Sequence, residues 1–375
     1  MAATLTVATA ATSDHLLQQQ ALPSFHRLTT DPSLACLDVE PTESRPAMSV
    51  RHDAPVDRAV PVDRVAVVHN PTKVDLDALQ KAVSDAAGDT PVEWLETDPD
   101  DNGLAAAERA LSNGADLLLA AGGDGTIRAA AQAVSETDAS FAIIPAGTGN
   151  LLARNLGVPL QQAAAVQTAF TGTDQVVDLG RVTLVDPHGE ERTETFMVAV
   201  GIGIDAQMVD RTDDDAKAKA GWLAYIQGIV SAFIGTDHVA VRLRMDGGSW
   251  HTNHAHTVMV GNCGLLPGNV VLLPDAEIDD GLLDVVTLRP RGAGGWFQIA
   301  SKVIFENGVL RRTEIGRKIT ARTSDTHALR YLQGEVVEIQ FREPQLAEID
   351  GDLVGEVRGF RCEVKASALR VRVPA

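Results

Sequence analysis

Residues 119–127, LAAGGDGTI, constrain this chain more than any other segment: an apolar strand runs directly into glycines around one aspartate, then into a helix start. Gly122, Gly123 and Gly125 let backbone N–H groups approach a phosphate, and the following helix N-terminus favours its negative charge. A plain strand-to-helix turn needs one glycine. It does not call for Asp124 between glycines, or for Thr126 at the expected N-cap. A second loop has the same form: after the apolar run 141–144 comes PAGTGNLLARNLG, with Gly147, Thr148 and Asn150 ahead of a helix opened by Leu151 and Leu152. Upstream, the apolar run 65–68 ends in HNPT, where Asn70, Pro71 and Thr72 lie at a strand end. Three such ends at the carboxyl edge of a parallel sheet can clasp one nucleotide.

The surrounding pattern supplies that sheet. Apolar runs at 65–68, 92–95, 116–120 and 141–144 alternate with helical periodicity at 75–87, 103–111 and 127–134, which predicts a parallel, doubly wound α/β unit. After about residue 178 the rhythm changes to alternating runs at 192–201, 239–245, 257–261, 283–288, 318–322 and 336–341. These have no crossover helices and predict a β-rich second domain. Two helical stretches interrupt it, at 213–233 and 295–305, and read either as core-facing amphipathic helices or as walls of an acyl pocket or membrane edge. Arg289, Arg291, Arg311, Arg312, Arg317 and Lys318 flank the second stretch and suit an anionic surface.

Taken in order, NPT at 70–72, GGDGT at 122–126, PAGTGN at 145–150, GIGIDA at 201–206, DDGLLDV at 279–285 and IDGD at 349–352 make the chain resemble the diacylglycerol kinase catalytic family, which includes sphingosine and ceramide kinases. The likeness spans residues 65–374. It implies a doubly wound nucleotide-binding domain (63–180), a β-rich sandwich domain for a lipid substrate (181–355), and a last strand (356–375) returning to the first domain. It also implies ATP and Mg2+ as cofactors, an interdomain cleft, and transient contact with a membrane surface. Thr97 joins Asn70, Thr72 and Thr148 around the nucleotide by the same resemblance. Glu277 and Leu282, through their carbonyls, and Asp280, through its side chain, match a structural magnesium site of bacterial lipid kinases.

Phosphoryl transfer needs positioned phosphates, a counter-charge and a group that orients or deprotonates the acceptor hydroxyl. No Walker-type GK follows the glycines, so carboxylates supply the rest: Asp124 in the loop, Asp178 in VDLG and Asp352 in IDGD. The family usually carries glutamate, the proposed general base, where Asp352 stands, and often aspartate where Leu151 stands. His254 and His256 alternate on one expected strand face without an acidic or cysteine partner, so they read as surface histidines. NAD kinases share the GGDGT loop and are the nearest rival enzyme. A noncatalytic nucleotide-binding regulator is the rival of another class.

Composition narrows the partners. A formal net charge of −19 disfavours DNA or RNA and any global attraction to anionic membranes. Cys36, Cys263 and Cys362 lack paired spacing, and no apolar stretch reaches the roughly 18 residues of a spanning helix, so a cytoplasmic or membrane-peripheral protein is expected. Residues 1–62 have no secretory pattern and read as a disordered extension, with Met48 an alternative start. The oligomeric state stays open, a homodimer included.

Overall fold

The computed structural model describes residues 62–203, 238–266, 270–290 and 329–375. The expected N-terminal extension to residue 61, residues 204–206 of GIGIDA, the helical stretches 213–233 and 295–305, the run 318–322, and Arg291, Arg311, Arg312, Arg317 and Lys318 lie outside the described residues.

The first part alternates strands and helices: β1 (Val65–His69), α1 (Leu76–Ala87), β2 (Val92–Glu96), α2 (Leu104–Ser112), β3 (Leu117–Gly122), α3 (Asp124–Val134), β4 (Ser140–Pro145), α4 (Leu151–Asn155) and α5 (Gln162–Thr171). β2, β1, β3 and β4 pair in parallel in that order. Every residue of β1, β3 and β4 is buried, which requires cover on both faces and explains their predominantly apolar content. Helices pack in pairs, α1 with α5 and α2 with α3.

The rest is strand: β5 (Thr173–Val185), β6 (Glu191–Phe196), β7 (Ala199–Ile202), β8 (Val239–Met245), β9 (His251–Ala255), β10 (Thr257–Gly261), β11 (Leu265–Leu266), β12 (Val270–Val271), β13 (Leu283–Leu288), β14 (Leu329–Gly334), β15 (Val336–Ile349) and β16 (Asp352–Val373). β5 to β10 and β13 to β16 pair antiparallel with one another, and their core gathers Phe196, Phe341, Phe360 and surrounding aliphatic residues. β16 runs alongside β5 and also meets β4 in parallel at Val371 and Phe141, so one sheet continues from the first part into the second. The lines drawn from sequence at residues 180 and 355 fall inside β5 and β16.

Several local expectations need correction. The run 192–201 is two strands, because the chain breaks at Met197 and Val198, whose amides donate to the Asp350 carboxylate instead of a ladder. Asp116 precedes its strand, its carboxylate accepting from Asp63 N and Arg64 N. Helix α3 begins at Asp124, three residues earlier than the apolar period indicated, with Gly123 as N-cap. Thr126 is therefore not the cap. It lies inside the first turn, buried against Gly122, where a Cβ would stand only 2.6 Å from its own. His254 and His256 do not share a strand face: His254 is exposed on β9, while His256 is buried at the corner before β10 with Nδ1 2.9 Å from Thr257 Oγ1.

Candidate functional site

Strand register brings the predicted loops to one edge. His69 lies opposite Ala121 and Glu96, and Gly122 lies opposite Pro145, so Asn70, Thr97, Gly123 and Gly147 all follow the carboxyl ends of neighbouring strands. Backbone bonds lock these ends: Asn70 N donates to Ala121 O at 2.9 Å, Thr97 N to His69 O at 3.0 Å and Ala146 N to Gly122 O at 2.8 Å. Asn70 spends its side chain locally, Oδ1 accepting from Thr72 N and Thr72 Oγ1, which shapes the NPT turn. Thr97 is buried beneath Gly103, while Thr148 is exposed at the crest of its loop.

The two glycine loops touch. A Cβ on Gly147 would stand 2.8 Å from Gly123 Cα, so Gly147 tolerates no side chain without displacing the first loop. Asp124 ties them together: its Oδ2 accepts from Asn150 N at 2.8 Å and its Oδ1 from Leu151 N at 2.7 Å. Gly149 is required beside it, since a Cβ there would lie 2.7 Å from Asp124 Oδ2. Asn150, in the left-handed region at φ 49°, closes its own loop through bonds to Gly147 N and O. Burial raises the Asp124 pKa, opposed by the Leu151 and Asn150 amides and reinforced by Asp352.

The N-terminus of α3 has no side-chain cap. Its first N–H groups are thus open to an anion at the sheet edge. Opposite charges flank it. Lys73 reaches over Gly123, where a Cβ would meet Nζ at 3.0 Å, and Asp352 reaches toward Gly125, where a Cβ would meet Oδ2 at 3.5 Å and Asn102 Oδ1 at 3.6 Å. Asp352 is half exposed and lies 3.3 Å from Arg128 Nη2.

Asp178 sits elsewhere. Its Oδ2 accepts from Gly281 N at 2.7 Å and its Oδ1 from Ser367 N at 2.6 Å, so it fastens β5 to the 278–282 turn and to β16. Burial raises its pKa, those two amides oppose the shift, and Asp279 adds to it. The structure thus joins Asp124 with Asp352, and Asp178 with Asp280. Asp280 Oδ1 accepts from Leu282 N, and burial raises its pKa. Nearby Asp284 is pushed up to about 7, first by burial, with Gln333 opposing and Asp280, Asp275 and Glu277 adding repulsion. Its Oδ2 is buried without a hydrogen-bond partner. Among the described residues no three His, Cys, Asp or Glu side chains converge on a metal position. The Asp280 carboxylate and the orphaned Asp284 oxygen at this turn are hard oxygen donors, a chemistry that fits magnesium.

Sequence reading missed Lys73, Arg128, Asn102 and Asp350. Signals existed for two of them. Lys73 directly follows NPT, and Asp350-Gly351 is the Asp-Gly pair of a two-residue hairpin, both residues at positive φ.

Comparison with known proteins follows the same division. Residues 64–182 match the diacylglycerol kinase catalytic domain, and residues 198–373 match the YegS C-terminal NAD kinase beta sandwich-like domain. A Pseudomonas aeruginosa protein named "Probable lipid kinase YegS-like" is 32% identical over 273 residues, 72% of this chain and 80% of that one. A Mycobacterium tuberculosis protein named diacylglycerol kinase is 30% identical over 177 residues, 47% of this chain and 56% of that one. The chain spans 53% and 58% of the length of two further relatives. A crystal structure of a diacylglycerol kinase from Bacillus anthracis superposes with TM-score 0.60 at 19% identity, covering 84% of this chain and 98% of that one, and so shares its fold.

Proposed function

Because the chain belongs to the diacylglycerol kinase catalytic-domain family, we propose that it transfers the γ-phosphoryl group of ATP to a lipid hydroxyl, with diacylglycerol as the acceptor and phosphatidic acid as the product. One observation carries this reading: an uncapped helix N-terminus between two interlocked glycine loops, with a lysine ammonium over one glycine and a carboxylate over the next. That polarity supplies a direction. The triphosphate enters from the Lys73 side, against the Gly122, Gly123 and Gly125 backbone, with Asn70, Thr97, Thr148 and Asn150 shaping the rim. The acceptor hydroxyl enters from the Asp352 side.

In the transfer, the lipid oxygen forms a bond to the γ-phosphorus as the bond to the ADP oxygen breaks, and Asp352 Oδ2 takes the hydroxyl proton. Half exposed, with one ion pair, Asp352 retains free lone pairs for that task. Asp124 has both oxygens engaged by amides and acts by holding the two loops in contact. Asp178 acts through the 278–282 turn. Glu277, Asp280 and Leu282 would hold magnesium there. Magnesium bound there would supply positive charge against the acidic turn.

A diacylglycerol lies in a bilayer, so the working enzyme meets a membrane surface transiently. No helix of the described residues is long and apolar enough to cross one. Cys263 and Cys362 are buried free thiols, which supports a cytoplasmic setting.

The full chain incubated with magnesium and γ-labelled ATP, with dioleoylglycerol, sphingosine or NAD in parallel, tests the reading. Label in phosphatidic acid is expected. Label only in a phosphorylated sphingoid base moves the acceptor, label only in NADP reassigns the enzyme, and ATP binding without any labelled product leaves a regulator.

A further inference from the structure

Asp352 is the first residue after a two-residue turn, and how that turn is held decides where its carboxylate points. Ile349 pairs with Asp352 across Asp350 and Gly351, both in the left-handed region at φ 50° and 89°. From below, the buried Asp350 carboxylate accepts from Met197 N, Val198 N and Ala199 N at 2.8–3.0 Å. From the side, Arg128 Nη1 donates to Ile349 O at 2.9 Å while Nη2 faces Asp352 Oδ2 at 3.3 Å. Burial raises the Asp350 pKa, and Arg128 is the largest opposing influence.

Arg128 stands four residues after Asp124, on the same face of α3. Helix α3 therefore reaches out twice: Asp124 grips the second glycine loop, and Arg128 grips the hairpin that bears Asp352. The guanidinium is mostly covered, with its side chain 14% exposed, whereas Asp352 is 53% exposed. An ion pair so open on one side contributes little to stability. The geometry it imposes is the larger effect, because a planar fork addresses a carbonyl and a carboxylate together in a fixed arrangement that a flexible lysine ammonium does not hold.

We propose that Arg128 is a positioning residue that sets the general base against the phosphate loop, so that its loss slows phosphoryl transfer without weakening nucleotide binding. The inference rests on the kinase reading above, and Asp352 is the group through which it acts.

The test uses the full chain and the variants Arg128→Gln, Arg128→Lys, Asp352→Asn and the double Arg128→Gln/Asp352→Asn. Turnover is measured with magnesium-ATP and dioleoylglycerol in mixed micelles, ATP affinity by calorimetry, and hydrogen exchange on peptides covering 197–203 and 349–355. Arg128→Gln is expected to lower kcat by about 10- to 100-fold, as displacement of a reacting group does, with ATP affinity unchanged and faster exchange in both peptides. Arg128→Lys should fall between wild type and Arg128→Gln. The double variant should be no slower than Asp352→Asn. A multiplicative double variant, or loss of ATP affinity in step with kcat, overturns the proposal, since a merely structural role gives those results. If the wild type labels no lipid, the kinase reading falls, and exchange alone decides the clamp: unchanged protection at 349–355 in both arginine variants refutes it.

Discussion

Two acidic regions of the molecule, the glycine loops and the 275–284 turn, are built on opposite principles. At the glycine loops the carboxylates are held by the protein: Asp124 is satisfied by two amides, and Asp352 is oriented by one ion pair with Arg128. At the 275–284 turn Asp280 and Asp284 face Asp275, Glu277 and Asp279, and the pKa of both is raised. The first region has its geometry fixed before any ligand arrives. The second stores like-charge repulsion that a cation would relieve. On the proposed reading, preorganisation serves the place where bonds would change, and the acidic turn that joins β5 and β16 would be braced by a cation.

The comparison breaks most visibly at Asp124. Asp124→Ala strands two partly buried amides at about 1–3 kcal/mol of stability, and it lets the glycine loops separate. Turnover should fall by on the order of 10³-fold or more, with the chain still folded by circular dichroism. Near-normal kcat would mean the loops hold their contact without it. Asp352→Ala should cost about 10³-fold in kcat, within the range for a lost general base, yet leave the melting temperature and ATP affinity where they were. A matched fall in stability would place Asp352 with the structural carboxylates instead.

The second region is probed by pH. Asp284 ionises at about 7 in the folded chain and has an ordinary value of 3.8, so between those values the folded state binds more protons than the unfolded one. Its contribution to stability is therefore lost as pH rises from about 4 to 7, by at most about 4 kcal/mol. Asp284→Asn should flatten that slope in denaturant melts. Magnesium should restore stability at pH 8 to the wild type and not to Asp280→Asn; equal response in both would remove the turn as a cation site.

How much of this could be read in advance follows from the range of each interaction. β1, β3 and β4 were legible because burial on both faces demands apolar runs, and the glycine loops because the close approach of the Gly147 backbone to Gly123 Cα leaves no room for a side chain at Gly147. Thr126 was misplaced because side-chain type alone does not reveal whether a hydroxyl caps a helix or packs beneath it. The break between β6 and β7 was hidden because its cause, Asp350, lies 153 residues from Met197. Arg128 escaped for the same reason: its partner carbonyl is 221 residues away. Asp178 was legible as a residue and misleading as a neighbour, since only the fold reveals that its oxygens face Gly281 and Ser367.

Lys73 gives the smallest effect and the sharpest contrast between the regions. It is exposed, it follows the NPT turn, and its ammonium lies over the glycine beside the uncapped helix end. A cation there adds attraction for phosphate on top of N–H donors that remain in any variant, so only part of the binding energy depends on it. Lys73→Ala should weaken ATP about tenfold, near 1.4 kcal/mol, with kcat almost unchanged and the loss shrinking at high salt. Lys73→Arg should keep most of the affinity, because a point charge over a backbone cradle needs no fixed fork. An unaltered dissociation constant in Lys73→Ala would leave the helix N-terminus as the principal phosphate anchor, and would put the charge polarity across Gly123 and Gly125 on Asp352 alone.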